Sequence, residues 1–323
     1  MEDIKILGLD VHGPLFSVSH TDIRDQLNTF VKEIGKEDIR EDFEHYLEYC
    51  KWSDERYDDM RKKIYSDKPI YNEKGKLEDT LADEMAYVEI MLHQYLVYTW
   101  TFIYNTLNKE EFARLKQRHI EETIKRKVDE AIPVLQELKD RGIERIIAVT
   151  SIPYTGECLK AAGFFGSIDK CCTSTVHETG APMPVLFKKL RKVPEDSALY
   201  RNWKVVDIGL PTEDDKEFRL FYTTPTYVAR FKKMDIFVPF LRGKTECLKL
   251  YAHYRKTSLE HIAFIGDGYS DLHALQKAGY PIVLSRGARR TKGAAQIEKW
   301  AEARQYPVVG KWNEILELPF FNK

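Results

Sequence analysis

The sequence predicts an α/β protein whose parallel-sheet core is interrupted twice, first by a helical insertion and then by a β-rich one. Three observations carry this. A short apolar run, Ile4-Lys5-Ile6-Leu7-Gly8-Leu9, ends at Asp10 and is followed at once by the turn-forming Gly13-Pro14, as a buried strand feeding a loop. Helix and strand patterns alternate from about Val128 to Cys172 and again from Thr245 onward. Between these blocks, and before the first of them, the alternation fails in two different ways.

From about Thr21 to Lys127, Asp, Glu and Lys are separated by apolar residues at three- and four-residue spacing, which reads as helix. Thr80 with Asp83 resembles a capping box, and the helix it would open carries Met85, Val88, Leu92, Tyr95 and Tyr98 on neighbouring turns, a stripe expected to be core packing. The core resumes with an amphipathic helix stopped by Gly142, a strand from Arg145 to Val149 ending in Thr150-Ser151, a helix from Thr155 to Ala162 and a strand from Ile168 to Cys172. Lys204 to Ile208, Phe218 to Tyr222 and Tyr227 to Val238 then read as strands with Pro and Gly between them. A helix from Thr245 to Tyr254, a strand from Ile262 to Ile265, a helix from Asp271 to Ala278 and a strand from Pro281 to Leu284 restore the alternation. The expected organisation is core at 1–16, helical insertion at 17–126, core at 127–173, β-rich insertion at 174–242 and core at 243–323.

Composition narrows the function. The chain has 323 residues, 43% hydrophobic and 31% charged, with 50 Lys and Arg against 51 Asp and Glu. That balance supplies no basic field for nucleic acid or an anionic membrane surface. The cysteines, Cys50, Cys158, Cys171, Cys172 and Cys247, lack zinc or disulfide spacing and fit a reducing cytoplasm; Cys171 and Cys172 are expected to pack on opposite faces of a strand end. Met1 leads into Glu2 and Asp3 without the basic and long apolar regions of a secretion signal, and the apolar stretch Tyr95 to Tyr104 is too short to span a bilayer.

The carboxyl ends of strands in an open parallel sheet collect ligands. Here those ends carry Asp10, Thr150 and the loop Gly266-Asp267-Gly268-Tyr269-Ser270-Asp271, while Lys244 starts the helix before the last of these strands. Carboxylates, a hydroxyl and an ammonium at one edge suit a magnesium ion and a phosphoryl group, because magnesium prefers a few hard oxygen ligands. Each residue also has a plainer reading. Asp10 alone would be a strand-end turn residue, Lys244 a solvated lysine near Lys249, and Thr150 competes with Ser151. His93 and His119 read as structural or surface residues, and the basic cluster Arg286, Arg289, Arg290 and Lys292 as a solvated face.

Taken together, the four segments resemble the haloacid dehalogenase-like hydrolases. The first motif of that family stands as Asp10-Val11-His12-Gly13-Pro14, the second as Thr150, the third as Lys244, and the fourth as Gly266-Asp267-Gly268 with Asp271. The resemblance spans the core but neither insertion, and it implies a Rossmann-like sheet with the insertions at the positions of the two cap types. It also implies that Asp10 attacks phosphorus to form an aspartyl-phosphate and that Thr150 and Lys244 hold the nonbridging oxygens. Mg2+ would be held by Asp10, Asp267 and the main-chain carbonyl of His12, with Asp271 binding the ion or orienting its waters. His12 departs from the family pattern, which usually has a second Asp there as general acid and base; an imidazole can replace it near neutral pH. The Asp-x-x-Gly-Pro run also resembles an archaeal branch, the energy-converting hydrogenase A subunit R-like proteins.

The expected function is therefore a magnesium-dependent phosphatase of a small phosphorylated metabolite. The alternatives are a hydrolase of carbon–halogen or carbon–phosphorus bonds, and a scaffold with a degenerate site.

Overall fold

The computed structural model describes residues 4–17, 23–35, 107–150, 152, 154–172, 175–176, 204–205, 220–221, 227–231, 234–237, 242–285 and 292–322. The Thr80 capping box, the Met85 to Tyr98 stripe, His93, Cys50, Ser151, Arg286, Arg289 and Arg290 lie outside these residues.

The expected α/β fold is present, built on a seven-stranded sheet whose pairings are all parallel. Strand β1 (Ile6–Leu9) lies at its centre, between β2 (Arg145–Val149) and β9 (Ile262–Gly266). Beyond β2 come β3 (Lys170–Cys172) and β6 (Leu220–Phe221); beyond β9 come β10 (Tyr280–Leu284) and β11 (Val308–Val309). All four residues of β1 are buried, which explains why its sequence is a nearly unbroken apolar run rather than an alternation: both faces are covered.

Side chains alternate between the two faces, and each face has its own core. On one side Leu7, Leu9, Ile146, Ala148, Cys171 and Ile265 pack against α3 (Ala131–Asp140), α4 (Thr155–Ala161) and α8 (Trp312–Ile315). On the other, Ile6, Ile147, Val149, Cys172, Ile262 and Phe264 pack against α5 (Arg242–Tyr254), α6 (Leu272–Lys277) and α7 (Lys292–Glu302). Cys171 and Cys172 do fall on opposite faces, as their adjacency on a strand requires. Helix α3 buries Ala131, Val134, Leu135 and Leu138, the i, i+3, i+4, i+7 stripe its sequence displays, and Gly142 (φ +107°) follows its end in the left-handed region.

Within the 17–126 stretch, α1 (Ile23–Ile34) and α2 (Lys109–Ile124) are helical as expected. Arg114 and Arg118 of α2 cover the Phe30 ring of α1 at 5.4 and 5.7 Å, and Arg118 reaches Glu33 at 2.7 Å. A capping box starts α2, with Asn108 accepting from the Glu111 N–H and Glu111 accepting from the Asn108 N–H. The chain leaves the core and returns to it at one place. Ser17 N–H donates to the Arg126 carbonyl at 2.8 Å, and Val128 N–H donates to the Leu15 carbonyl at 2.9 Å.

Between 174 and 242, β4 (Thr175–Val176), β5 (Lys204–Val205), β7 (Tyr227–Phe231) and β8 (Met234–Phe237) form a separate antiparallel sheet in the order β4-β8-β7-β5. β6, from the same stretch, instead extends the parallel sheet beside β3. Strand β11 and helix α8 are not legible in the sequence, because a two-residue strand and a four-residue helix leave no periodicity to read.

Gly279 marks a tight contact in this core. A Cβ there would stand 1.9 Å from the backbone oxygen of Glu260, which cannot swing aside as a side chain would. Gly279→Ala should therefore lower unfolding stability in urea by about 1–3 kcal/mol; a loss below about 0.5 kcal/mol, the range of ordinary surface changes, would contradict this packing.

Candidate active site

The parallel order of β1, β2 and β9 brings their carboxyl ends to one edge, and Asp10, Thr150 and Asp267 each follow one of these strands directly. Asp10 is locked there by its N–H, which donates to the Ile265 carbonyl at 2.9 Å. Thr150 is locked by its N–H to the Cys172 carbonyl at 2.9 Å. Four charged groups meet at this edge in near-complete burial: Asp10 is 5% exposed, Lys244 1%, Asp267 2% and Asp271 0%.

Lys244 is the hub. Its Nζ lies 2.7 Å from Asp10 Oδ1 and 2.7 Å from Asp271 Oδ1. The solvated alternative is therefore excluded for Lys244, whereas Lys249 is exposed. Burial pulls the Lys244 ammonium toward neutrality, but the charges of Asp10 and Asp271, and the hydrogen bonds to them, outweigh it and hold the group protonated well above its ordinary range. Burial raises the Asp271 carboxyl above its ordinary value and the nearby Asp10 charge adds to that, while Lys244 opposes both.

Asp271 also shapes the loop before it. Its Oδ2 accepts the backbone N–H groups of Asp267 at 3.0 Å and Gly268 at 3.1 Å. The approach is close enough that a Cβ on Gly266 would meet Asp271 Cβ at 2.5 Å, so only glycine fits there. One oxygen each from Asp10, Asp267 and Asp271 lies within 4.8 Å of the others, which makes these three a donor set that could hold a cation. Asp267 also lines a cavity of about 210 Å³ with Gly13, Pro14, Ser285, Lys311 and Trp312.

His12 and Pro14 lie in the turn after β1, which Leu15 and Phe16 close through N–H bonds to the Val11 carbonyl at 3.0 and 3.1 Å. Trp312, from the far end of the chain, donates its indole N–H to the Pro14 carbonyl at 2.9 Å and so ties this turn to α8. The His12 ring is half-buried, 6.0 Å from the Phe16 ring, with Nε2 3.2 Å from Thr155 Oγ1. Thr155 carried no signal in the sequence, since a hydroxyl at a helix start reads as a cap. His119 is buried in α2, and burial pushes the Cys158 thiol up to about 11, as suits packing rather than nucleophilic chemistry.

A comparison with known families agrees with the last two of the four motifs. Residues 231–299 match the family of haloacid dehalogenase-like hydrolases, and the matched segment contains Lys244 and the whole Gly266–Asp271 loop. The resemblance to that family is thus shown. Among solved structures, a phosphoserine phosphatase in apo form is 13% identical, with 97% of this chain and 98% of that one covered and a TM-score of 0.45. A phospho-aspartyl intermediate analogue of phosphoserine phosphatase is 15% identical, with 98% and 99% covered and a TM-score of 0.46. No curated protein matches the sequence. No helix among the described residues is long and apolar enough to cross a membrane.

Removing the hub charge should be expensive. Lys244→Met leaves two buried carboxylates facing each other, and breaking a buried pair costs about 3–5 kcal/mol. Chemical denaturation should show that loss, with part of it recovered in the Lys244→Met/Asp271→Asn double variant. A loss under about 1 kcal/mol, the size of an exposed pair, would contradict the arrangement.

Proposed function

We propose that this chain is a magnesium-dependent phosphatase acting on a small phosphorylated metabolite through an aspartyl-phosphate on Asp10. The observation that carries the reading is the buried Asp10–Lys244–Asp271 array with Asp267 beside it, at the carboxyl edge of a parallel sheet.

The donor set fits magnesium, being three carboxylates that offer hard oxygens within 4.8 Å of one another. Asp10, Asp267 and the main-chain carbonyl of His12 would hold the ion. Asp271 already accepts three N–H bonds, from Lys244, Asp267 and Gly268, which supports a role in orienting the ion's waters over direct ligation. Bound magnesium would supply positive charge against the charge that develops on the phosphoryl oxygens.

In this reading an Asp10 carboxylate oxygen attacks phosphorus, forming the O–P bond as the ester oxygen leaves. Water then cleaves the acyl phosphate and regenerates Asp10. Lys244 keeps its proton throughout, because two carboxylates hold it charged, so it serves as an electrostatic clamp on the nonbridging oxygens and not as an acid. Thr150, whose Oγ1 accepts the Ile152 N–H at 3.2 Å, would use its hydroxyl proton on the phosphoryl group. His12 would protonate the leaving oxygen and then deprotonate water.

The stretch 17–126 is proposed as a cap that closes over this edge, and the paired backbone at Ser17 and Arg126 supports a common point of attachment. The stretch 174–242 is proposed as a second cap, and the cytoplasm as the compartment. His12 in the place of an acidic residue is the observation that favours a second reading, hydrolysis of a carbon–halogen or carbon–phosphorus bond.

Phosphate release from p-nitrophenyl phosphate by the purified protein tests the proposal. Wild type should turn over with magnesium and stop with a chelator, and Asp10→Asn should lower the rate by on the order of a thousandfold or more, as losses of other nucleophiles do. A variant retaining a tenth of the wild-type rate would overturn the assignment of Asp10.

A further inference from the structure

Thr155 joins two parts of the site that the motifs leave separate. Its Oγ1 lies 2.7 Å from the carbonyl oxygen of Ile152 and 3.2 Å from Nε2 of His12. A carbonyl can only accept, so the single hydroxyl proton of Thr155 must lie on the shorter contact; otherwise two oxygens with lone pairs would face each other at 2.7 Å. What remains for His12 is the Thr155 lone pair, so the shared proton on the longer contact is the histidine's own.

We propose that Thr155 is a positioning residue that holds His12 as the Nε2–H tautomer, leaving Nδ1 as the basic nitrogen of the ring. Bonds on both sides of Ile152 tie the two loops: Ile152 N–H donates to Thr150 Oγ1, the Thr155 hydroxyl donates to the Ile152 carbonyl, and His12 Nε2–H donates to Thr155 Oγ1. The loop after β2 thereby fixes the ring of the loop after β1. Thr155 can do so because it opens α4 and is fully buried, and its bond to the carbonyl three residues back leaves its hydroxyl no second orientation. Phe16 sits against the ring at 6.0 Å and limits its tilt.

The consequence for chemistry rests on the function proposed above, whereas the tautomer does not. If His12 moves a proton, it moves it at Nδ1: the leaving oxygen takes the proton from Nδ1, the attacking water returns one to Nδ1, and Nε2 keeps its proton in both steps.

The tautomer is read directly from long-range ¹H–¹⁵N correlation spectra of histidine-labelled protein near pH 9, where an imidazole is neutral. The His12 signals among the nine histidines are assigned by their loss in His12→Gln. Wild type should show a protonated Nε2 and an unprotonated Nδ1. Thr155→Val, which keeps the shape and loses the acceptor, should shift the ring toward a mixture of tautomers, and Thr155→Ser should restore the wild-type pattern. In the phosphate-release assay Thr155→Val should lower kcat by on the order of tenfold with KM little changed, as expected for a group that acts only on the chemical step, with Ser recovering most of the loss. A wild-type ring protonated at Nδ1, or a pattern in Thr155→Val identical to wild type, would overturn the proposal. The wild-type spectrum needs no turnover, so an inactive protein with Nε2 protonated would sink the phosphatase reading and leave the positioning role standing.

Discussion

A single ammonium buried between two carboxylates organises the carboxyl edge of the parallel sheet. Asp10 and Asp271 come from opposite ends of the chain and face the same point at the end of the sheet, where two like charges in low dielectric would repel. Lys244 resolves the conflict by donating to both, at 2.7 Å each. It is delivered by the hydrophobic packing of its own helix: Cys247, Leu248 and Tyr251 seat α5 on the sheet, and Gly8 in β1 permits the approach, since a Cβ there would meet Leu248 at 2.7 Å. Burial of α5 thus places the charge, and the charge in turn lets two carboxylates stay side by side.

A second, neutral network leans on the same edge. Thr150, Ile152, Thr155 and His12 form a chain of hydrogen bonds across the ends of β1 and β2. The charged array gathers the carboxylates proposed for nucleophilic attack and cation binding, and the neutral one meets the ring that stands where the resembling family usually has an acid. The Trp312 indole bond to Pro14 braces the same turn from the last helix. The loop after β1 is therefore held from three sides by elements distant in sequence.

Much of this was legible from residue order because strand ends mark themselves. An apolar run that stops at a polar residue locates Asp10, Thr150 and Asp267 without any contact information, and all three lie on one edge of the sheet. Lys244 was harder. A lysine at a helix start looks solvated, and only the fold reveals that its first turn faces two carboxylates. Thr155 was illegible for a different reason: its role depends on a hydrogen bond to a residue 143 positions away. The short elements after Leu284 were missed because they are fixed by pairing with β10 and packing of Trp312, not by any local pattern.

If Asp10, held by Lys244, attacks phosphorus as proposed, an acyl phosphate forms on its side chain during turnover. Acid-quenching the magnesium-loaded protein during turnover of a phosphate ester, reducing it with borohydride and mapping the peptides by mass tests this directly. An acyl phosphate on Asp10 is reduced to the alcohol, so the account predicts homoserine at position 10 and at no other aspartate. Unmodified Asp10 in a protein caught during turnover, or reduction at another residue, would contradict it.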